Sequence, residues 1–118
     1  MRALRLYMVF SPETRGEGAI VLRSLLGPVR SEPGCCATRL LIDADQENSL
    51  IWVEEWRNTS DFDRHLRAST FRRILAVMEL AAGPPRVEID EVGSRRGFEL
   101  VEEILSGTDV RSTVSENA

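Results

Sequence analysis

The chain contains no lysine: all 15 of its basic residues are Arg. Genomic base composition is the plain cause of such a bias, so an Arg-only surface implies no recognition role by itself. Set against 19 acids, these arginines leave a net charge of -4. That balance argues against nucleic acid or an anionic membrane surface as a partner, because either would need a basic face. There is one histidine, His65, and the two cysteines, Cys35 and Cys36, are neighbours. A lone histidine without a spaced cysteine pair excludes a protein-only zinc site. Adjacent cysteines close a disulfide only with severe strain, so nothing asks for an oxidising compartment and a cytoplasmic protein with reduced thiols is expected. No run approaches the ~20 apolar residues of a membrane span. The start, Met1 to Phe10, carries Arg2 and Arg5 and reads as a strand rather than a leader. A glycine-rich phosphate loop and a dinucleotide fingerprint are both missing, and no cofactor or metal is expected.

What is present is an ordinary globular composition, 42% hydrophobic over 118 residues, which suits one domain. Leu4, Leu6, Met8 and Phe10 alternate with Arg5, Tyr7 and Val9, a strand with both faces partly apolar. Ser11-Pro12-Glu13 opens a helix, with Leu22, Leu25, Leu26 and Val29 at helical spacing; Gly27-Pro28 should kink or end it. Cys35 to Asp43 and Leu50 to Arg57 form a hairpin around a polar loop, Ala44 to Ser49. Asn58 to Asp61 can cap another helix, with Phe62 and Leu66 inward. Ser69 restarts it, giving a stripe of Phe71, Ile74, Leu75, Met78 and Ala82 that Gly83-Pro84-Pro85 stops. Val87 and Ile89 mark a fourth strand, and Phe98 to Leu105 a short amphipathic piece. The domain is therefore expected over residues 1–105, with Ser106 to Ala118 a frayed tail.

This order, β-α-β-β-α-β, is the ferredoxin-like α+β pattern, four antiparallel strands with both helices on one face. The other face would lie open while carrying apolar side chains. A second copy of the same sheet is the simplest cover, giving a homodimer in the form of a dimeric α+β barrel.

Period-2 arithmetic puts Leu50, Trp52, Glu54 and Trp56 on one strand face and Ile51, Val53, Glu55 and Arg57 on the other. Trp52 and Trp56 flank Glu54 and could wall a pocket for a flat small molecule, or could be core. Glu54 needs a partner if buried, and an ion pair with an Arg is the plain expectation. His65 borders the inward stripe of its helix. An imidazole there can take a proton from a phenol or quinol near neutral pH, or can simply pack and hydrogen-bond. Its contribution to packing is expected to be modest, on the order of 1 kcal/mol. Tyr7 and Arg39 are further substrate-binding candidates by strand position alone. Cys35 as a nucleophile with His65 as base is a weaker arrangement than a packing thiol.

Three segments, Ser31-Glu32-Pro33-Gly34-Cys35, Val53-Glu54-Glu55-Trp56 and Phe62-Asp63-Arg64-His65-Leu66-Arg67-Ala68-Ser69-Thr70-Phe71-Arg72, occur in this order. Together they resemble the antibiotic-biosynthesis-monooxygenase domain, with its "S-E-P-G-C" turn, "E-x-W" strand end and "H-L-x-S-x-x-F" helical stretch. The resemblance covers roughly Leu4 to Val92. It implies a ferredoxin-like subunit, a sheet-paired dimer and a ligand cleft between helices and sheet. It also implies a cofactor-independent oxygenase of a small aromatic, quinol or polyketide-like substrate, with His65 as base or orienter, or else a non-catalytic small-molecule binder. The haem-degrading members combine an Asn on the first strand, a Trp where this chain has His65 and a later ligand His. This chain lacks that set, so the resemblance implies no haem oxygenase activity.

Overall fold

The computed structural model describes residues 1–107. Its elements run β1 (Arg2–Val9), α1 (Pro12–Arg30), β2 (Cys35–Asp43), β3 (Gln46–Trp56), α2 (Thr59–Leu66), α3 (Ser69–Met78), β4 (Arg86–Glu91) and α4 (Phe98–Ser106). The four strands form one antiparallel sheet in the order β2-β3-β1-β4, the ferredoxin-like α+β arrangement. Register follows side-chain chemistry. Leu4 lies opposite Glu54, and Leu6 opposite Trp52. The strand residues Leu4, Leu6, Met8, Leu50, Trp52 and Trp56 all point to one face, and each is at most 1% exposed.

That face is covered by α1, which buries Gly18, Leu22, Leu25 and Val29 at steps of four, three and four residues, one stripe of a 3.6-residue helix. α2 adds Phe62 and α3 adds Ile74 and Val77. Gly18 is there because the Phe10 ring presses on the helix; a Cβ would sit 2.9 Å from the ring. β4 is an edge strand, so Val87 and Ile89 stay about half exposed although they pair with Leu6 and Leu4.

Four details depart from the sequence expectation. α1 does not stop at Gly27-Pro28 but runs on to Arg30. Gly27 has no Cβ to collide with the proline ring, which removes much of the clash that drives a pre-proline residue out of the helical region. Gln46 to Ser49 belong to β3 rather than to a loop. Asp43 pairs with Gln46 across a two-residue turn, and the Asp43 carboxylate accepts the Asp45 N–H at 2.9 Å, so the polar side chains sit on ladder backbone. α3 ends at Met78, which leaves Ala82 outside it; Leu75 faces outward at 43% exposure and Val77 fills the core instead. Ser106 is the last residue of α4, followed by Gly107 in a left-handed cap. The rest of the expected tail, 108–118, lies outside the described residues.

The turn from α1 into β2 turns on Gly34, with φ of +85°, where a side chain would also collide with the Asp61 carboxylate. Arg57 and Arg64 hold that carboxylate in place at 2.9 and 2.5 Å. Gly34→Ala should therefore cost about 1–3 kcal/mol. Gly16→Ala, on α1 with nothing within 4 Å of the new methyl, should instead gain about 0.5–1 kcal/mol. Urea titration of the two variants against wild type checks both signs.

Candidate functional site

Alternation along β3 delivers Trp52, Glu54 and Trp56 to the helix-covered face, all fully buried. Only Arg57 and Asn58 separate β3 from α2, so α2 starts directly above the strand end. Asn58 caps it, its side-chain oxygen accepting the Asp61 N–H at 2.9 Å. Two turns on, His65 arrives over Trp56, the rings stacked at 4.6 Å and 25°, with Phe71 edge-on at 5.3 Å.

The Glu54 carboxylate accepts three N–H groups. Trp52 Nε1 donates to Oε2 at 2.7 Å, Trp56 Nε1 to Oε1 at 2.9 Å, and His65 Nε2 lies 2.8 Å from Oε2. On its other side, His65 Nδ1 is 3.0 and 3.1 Å from the two Glu32 oxygens. Glu32 comes from the turn after α1, and Thr70, in the first turn of α3, donates to its Oε2 at 2.9 Å. The imidazole is thus held between two carboxylates. Its side chain is 0% exposed, that of Glu54 0% and that of Glu32 19%, so Glu32 is where the chain of hydrogen bonds meets solvent. No buried side-chain nitrogen or oxygen among the described residues lacks a partner.

Burial alone would push the His65 pKa down, but the hydrogen bond and charge of Glu54, and then those of Glu32, outweigh it and raise it above the ordinary value. The two carboxylates therefore favour the charged form of His65, in which both nitrogens donate, beyond what a free imidazole would show. At the neighbouring Asp61, burial would raise the carboxyl, while the hydrogen bonds and charges of Arg57 and Arg64 hold it below the usual range. Arg64 also donates to the Pro33 carbonyl at 3.0 Å, fastening the turn that carries Glu32 to α2.

His65, Glu54, Trp52 and Trp56 are thus brought together. Both indole N–H groups face the carboxylate rather than a cleft. The ion-pair partner expected for Glu54 from Arg is His65 instead, and His65 is an interior residue rather than one at the border of a stripe. Tyr7 and Arg39 are elsewhere. Tyr7 pairs with Ile51, and Arg39 with Val53, on the opposite face of the sheet. Cys35 is no partner of His65: its thiol lies 3.1 Å from Thr38 Oγ1, and burial, ahead of the opposing Thr38 hydrogen bond, keeps its pKa raised. Sequence reasoning missed Glu32 and Thr70, although both lie inside the segments Ser31–Cys35 and Phe62–Arg72. Three surface clefts, of about 270, 220 and 300 Å³, are lined by other residues and do not include His65.

The model of the family described as antibiotic biosynthesis monooxygenase matches residues 1–77, more than half of the chain and every segment that builds this network. The chain belongs to the antibiotic biosynthesis monooxygenase family. An uncharacterized protein of Synechocystis sp. is 28% identical over 82 residues, 69% of this chain, and the match spans only 56% of that relative. The structure of Rv0793 from Mycobacterium tuberculosis superposes with a TM-score of 0.74 at 24% identity, covering 81% of this chain and 98% of that one. A crystal structure described as an antibiotic biosynthesis monooxygenase gives 0.70 at 21%, covering 80% and 100%. At these identities the structural likeness is one of fold. Membership carries a monooxygenase-type or small-molecule-binding fold and names no substrate. Among the described residues, no helix is long and apolar enough to cross a membrane.

Two outcomes follow for stability. Glu54→Gln puts an amide N–H₂ against one of three N–H donors and removes the charge that faces His65; it should cost about 3 kcal/mol or more. His65 binds its proton more tightly folded than unfolded. Its stabilisation is fully present below the unfolded value of about 6.5 and is lost as pH rises through the folded value. Thermal melts at pH steps upward from about 6 should therefore show wild type losing a component of stability on the alkaline side. His65→Ala should lack that component and, because it strands a buried carboxylate, should melt well below wild type.

Proposed function

We propose that this protein is a cofactor-independent monooxygenase acting, as a homodimer, on a small aromatic, quinol or polyketide-like substrate. The observation that carries the reading is the Glu32–His65–Glu54 chain of hydrogen bonds. Packing alone would be served as well or better by apolar residues of similar volume, so burying three ionisable groups against this core carries a cost that a function would explain. A titratable group perturbed as His65 is belongs to the kind that clusters at functional sites.

The chemistry begins with a proton. A phenolic hydroxyl reaching the solvent-facing edge of the network gives its proton to the Glu32 carboxylate. His65, with both nitrogens engaged by carboxylates, is not the base in this scheme; it orients Glu32, while Glu54 and the two indoles fix its ring. The phenolate then supplies the electrons that reduce O₂. For a CH₂ group between aromatic rings, one oxygen atom forms the new C=O and the other leaves as water with both hydrogens. Atoms and electrons balance without an external reductant.

A second reading, a non-catalytic small-molecule binder, is favoured by one observation: the imidazole is fully enclosed and both its nitrogens are occupied. Oxygen uptake with a panel of quinols and anthrones separates the two. The oxygenase reading expects about one O₂ per substrate for wild type and a 10²–10⁴-fold loss for Glu32→Gln, which keeps a hydrogen-bonding side chain beside Thr70. No uptake with any member of the panel leaves the binding reading in its place.

The dimer rests on the sheet face away from the helices, where Leu41 and Val9 are 44% and 39% exposed beside Ile51 and Val53. Apolar side chains in such a row call for cover. Light scattering at micromolar concentration should give close to twice the chain mass of 13.3 kDa. A monomer would remove the barrel from the proposal.

A further inference from the structure

A cleft of about 270 Å³ opens at the free edge of β2, the outermost strand on the side away from β4. It is lined by Arg30, from the last turn of α1, and by Cys35, Cys36, Ala37, Thr38 and Arg39 of β2. Cys35 and Thr38 point toward the helices and Arg39 to the other side, so the cleft wraps the strand edge rather than lying on the open sheet face.

Both arginines are exposed, and neither has an acidic partner among the described residues. Arg30 is oriented by the backbone: its Nε and Nη2 donate to the Thr38 carbonyl at 3.2 and 2.9 Å. The remaining N–H groups of its guanidinium are left for an anion. Arg39 makes no hydrogen bond or ion pair within the described residues. No carboxylate lines the cleft.

The two thiols there are not equivalent. Cys35 Sγ is turned inward, 3.1 Å from Thr38 Oγ1 and 3.7 Å from the Ala37 carbonyl, and burial disfavours its thiolate. Cys36 is the extra residue of the bulge, without a partner in the β3 register, and it is exposed. Its Sγ makes only a long contact, 3.7 Å, with the Gly34 carbonyl. An exposed thiol beside positive charge that no acid answers is the setting in which cysteines react.

We infer that Cys36 forms a reversible mixed disulfide with a low-molecular-weight thiol of the carboxylate-bearing peptide type, whose carboxylates Arg30 and Arg39 receive. The Cys36 thiolate attacks one sulfur of the small disulfide, and the old S–S bond breaks as the new one forms. The departing thiolate takes up the proton that Cys36 gave up, so the small disulfide is the oxidant and one small thiol is released. Cys35 is the nearest thiol that could reverse the step, but a disulfide between adjacent residues is severely strained. The adduct therefore persists until an external thiol removes it. The site shares no residue with the Glu32–His65–Glu54 network, so it does not rest on the oxygenase reading.

The test incubates reduced full-length protein with oxidised glutathione, an anionic probe, and with hydroxyethyl disulfide, a neutral one. Adducts are followed by intact mass and peptide mapping. Wild type should gain one glutathione, on Cys36, that dithiothreitol removes. Cys35→Ser should still be modified and Cys36→Ser should not. Arg39→Gln should slow the reaction with oxidised glutathione about threefold, and the double variant Arg30→Gln/Arg39→Gln about tenfold, with the hydroxyethyl disulfide rate unchanged in both. Salt at about 1 M should remove the same advantage from wild type. Circular dichroism establishes that each variant is folded. If loss of Arg30 loosens the end of α1, Arg39→Gln carries the test alone. Modification at Cys35 in place of Cys36, or no adduct on wild type, overturns the inference. So does an Arg39→Gln variant that slows both disulfides equally or slows neither.

Discussion

The Glu54 carboxylate is the constraint around which the helix-covered half of the molecule is organised. A carboxylate with no exposed surface is tolerable only when its oxygens are filled by donors and its charge is answered. Here two indoles and His65, whose charged form the carboxylate favours, do both. Each donor is thereby held in one orientation, and each belongs to an element whose place follows from it. The indoles fix the side chains at the end of β3. The imidazole fixes α2 over that strand end, and through Glu32 and Thr70 it ties the turn after α1 to the start of α3. One buried charge therefore sets the relation between a strand, a turn and two helices. Truncating it disturbs all of them at once, which is why energies of its partners will not add.

The second organising rule is parity. Residues two apart on a strand share a face, and the antiparallel pairing carries that face across the sheet. Leu4, Leu6, Trp52, Glu54 and Thr38 therefore face the helices, while Tyr7, Val9, Ile51, Val53 and Arg39 face away. β2 departs from strict pairing between Cys35 and Ala37, where the register shifts by one residue. The extra residue there, Cys36, lets Thr38 lie opposite Glu54 while Cys35 stays opposite Trp56. Two surfaces of different chemistry result, one closed over an ionic network and one open, where Val9, Leu41, Ile51 and Val53 lie among the charged Arg5, Arg39 and Glu88.

Much of this was legible in the sequence. The sorting of Trp52, Glu54 and Trp56 onto one face needed only period-2 counting. The capping residue Asn58 and the inward Phe62 needed only helical spacing. The need for a partner to Glu54 followed from burying a charge. The identity of that partner did not, because Glu54 on β3 and His65 on α2 meet only once the helix is folded over the strand end. Spacing rules see neighbours within an element, and this contact joins two. The same limit applies to Gln46 to Ser49: a polar run reads as a loop until the strand opposite supplies ladder hydrogen bonds. Strand position nominated Tyr7 and Arg39, but face assignment relative to β3 requires the register, which local sequence does not contain.

The protonation state of His65 links the fold to the chemistry. Had the imidazole faced solvent with one nitrogen unoccupied, it would titrate near neutral pH and could serve as a base itself. Held between Glu32 and Glu54, its charged form is favoured and both its nitrogens are engaged, so in the proposed reaction the base is the carboxylate that reaches the surface. A proton accepted at Glu32 would alter the same hydrogen bonds that fasten the turn after α1 to α2 and α3. Turnover and local stability would then draw on one set of groups. Substitutions that loosen the turn at Pro33 and Gly34 should therefore act on Glu32 by displacing it from His65 and Thr70, even though neither residue touches the imidazole. Such a coupling would not arise if the network were packing alone, since then nothing would bind or leave at its exposed end.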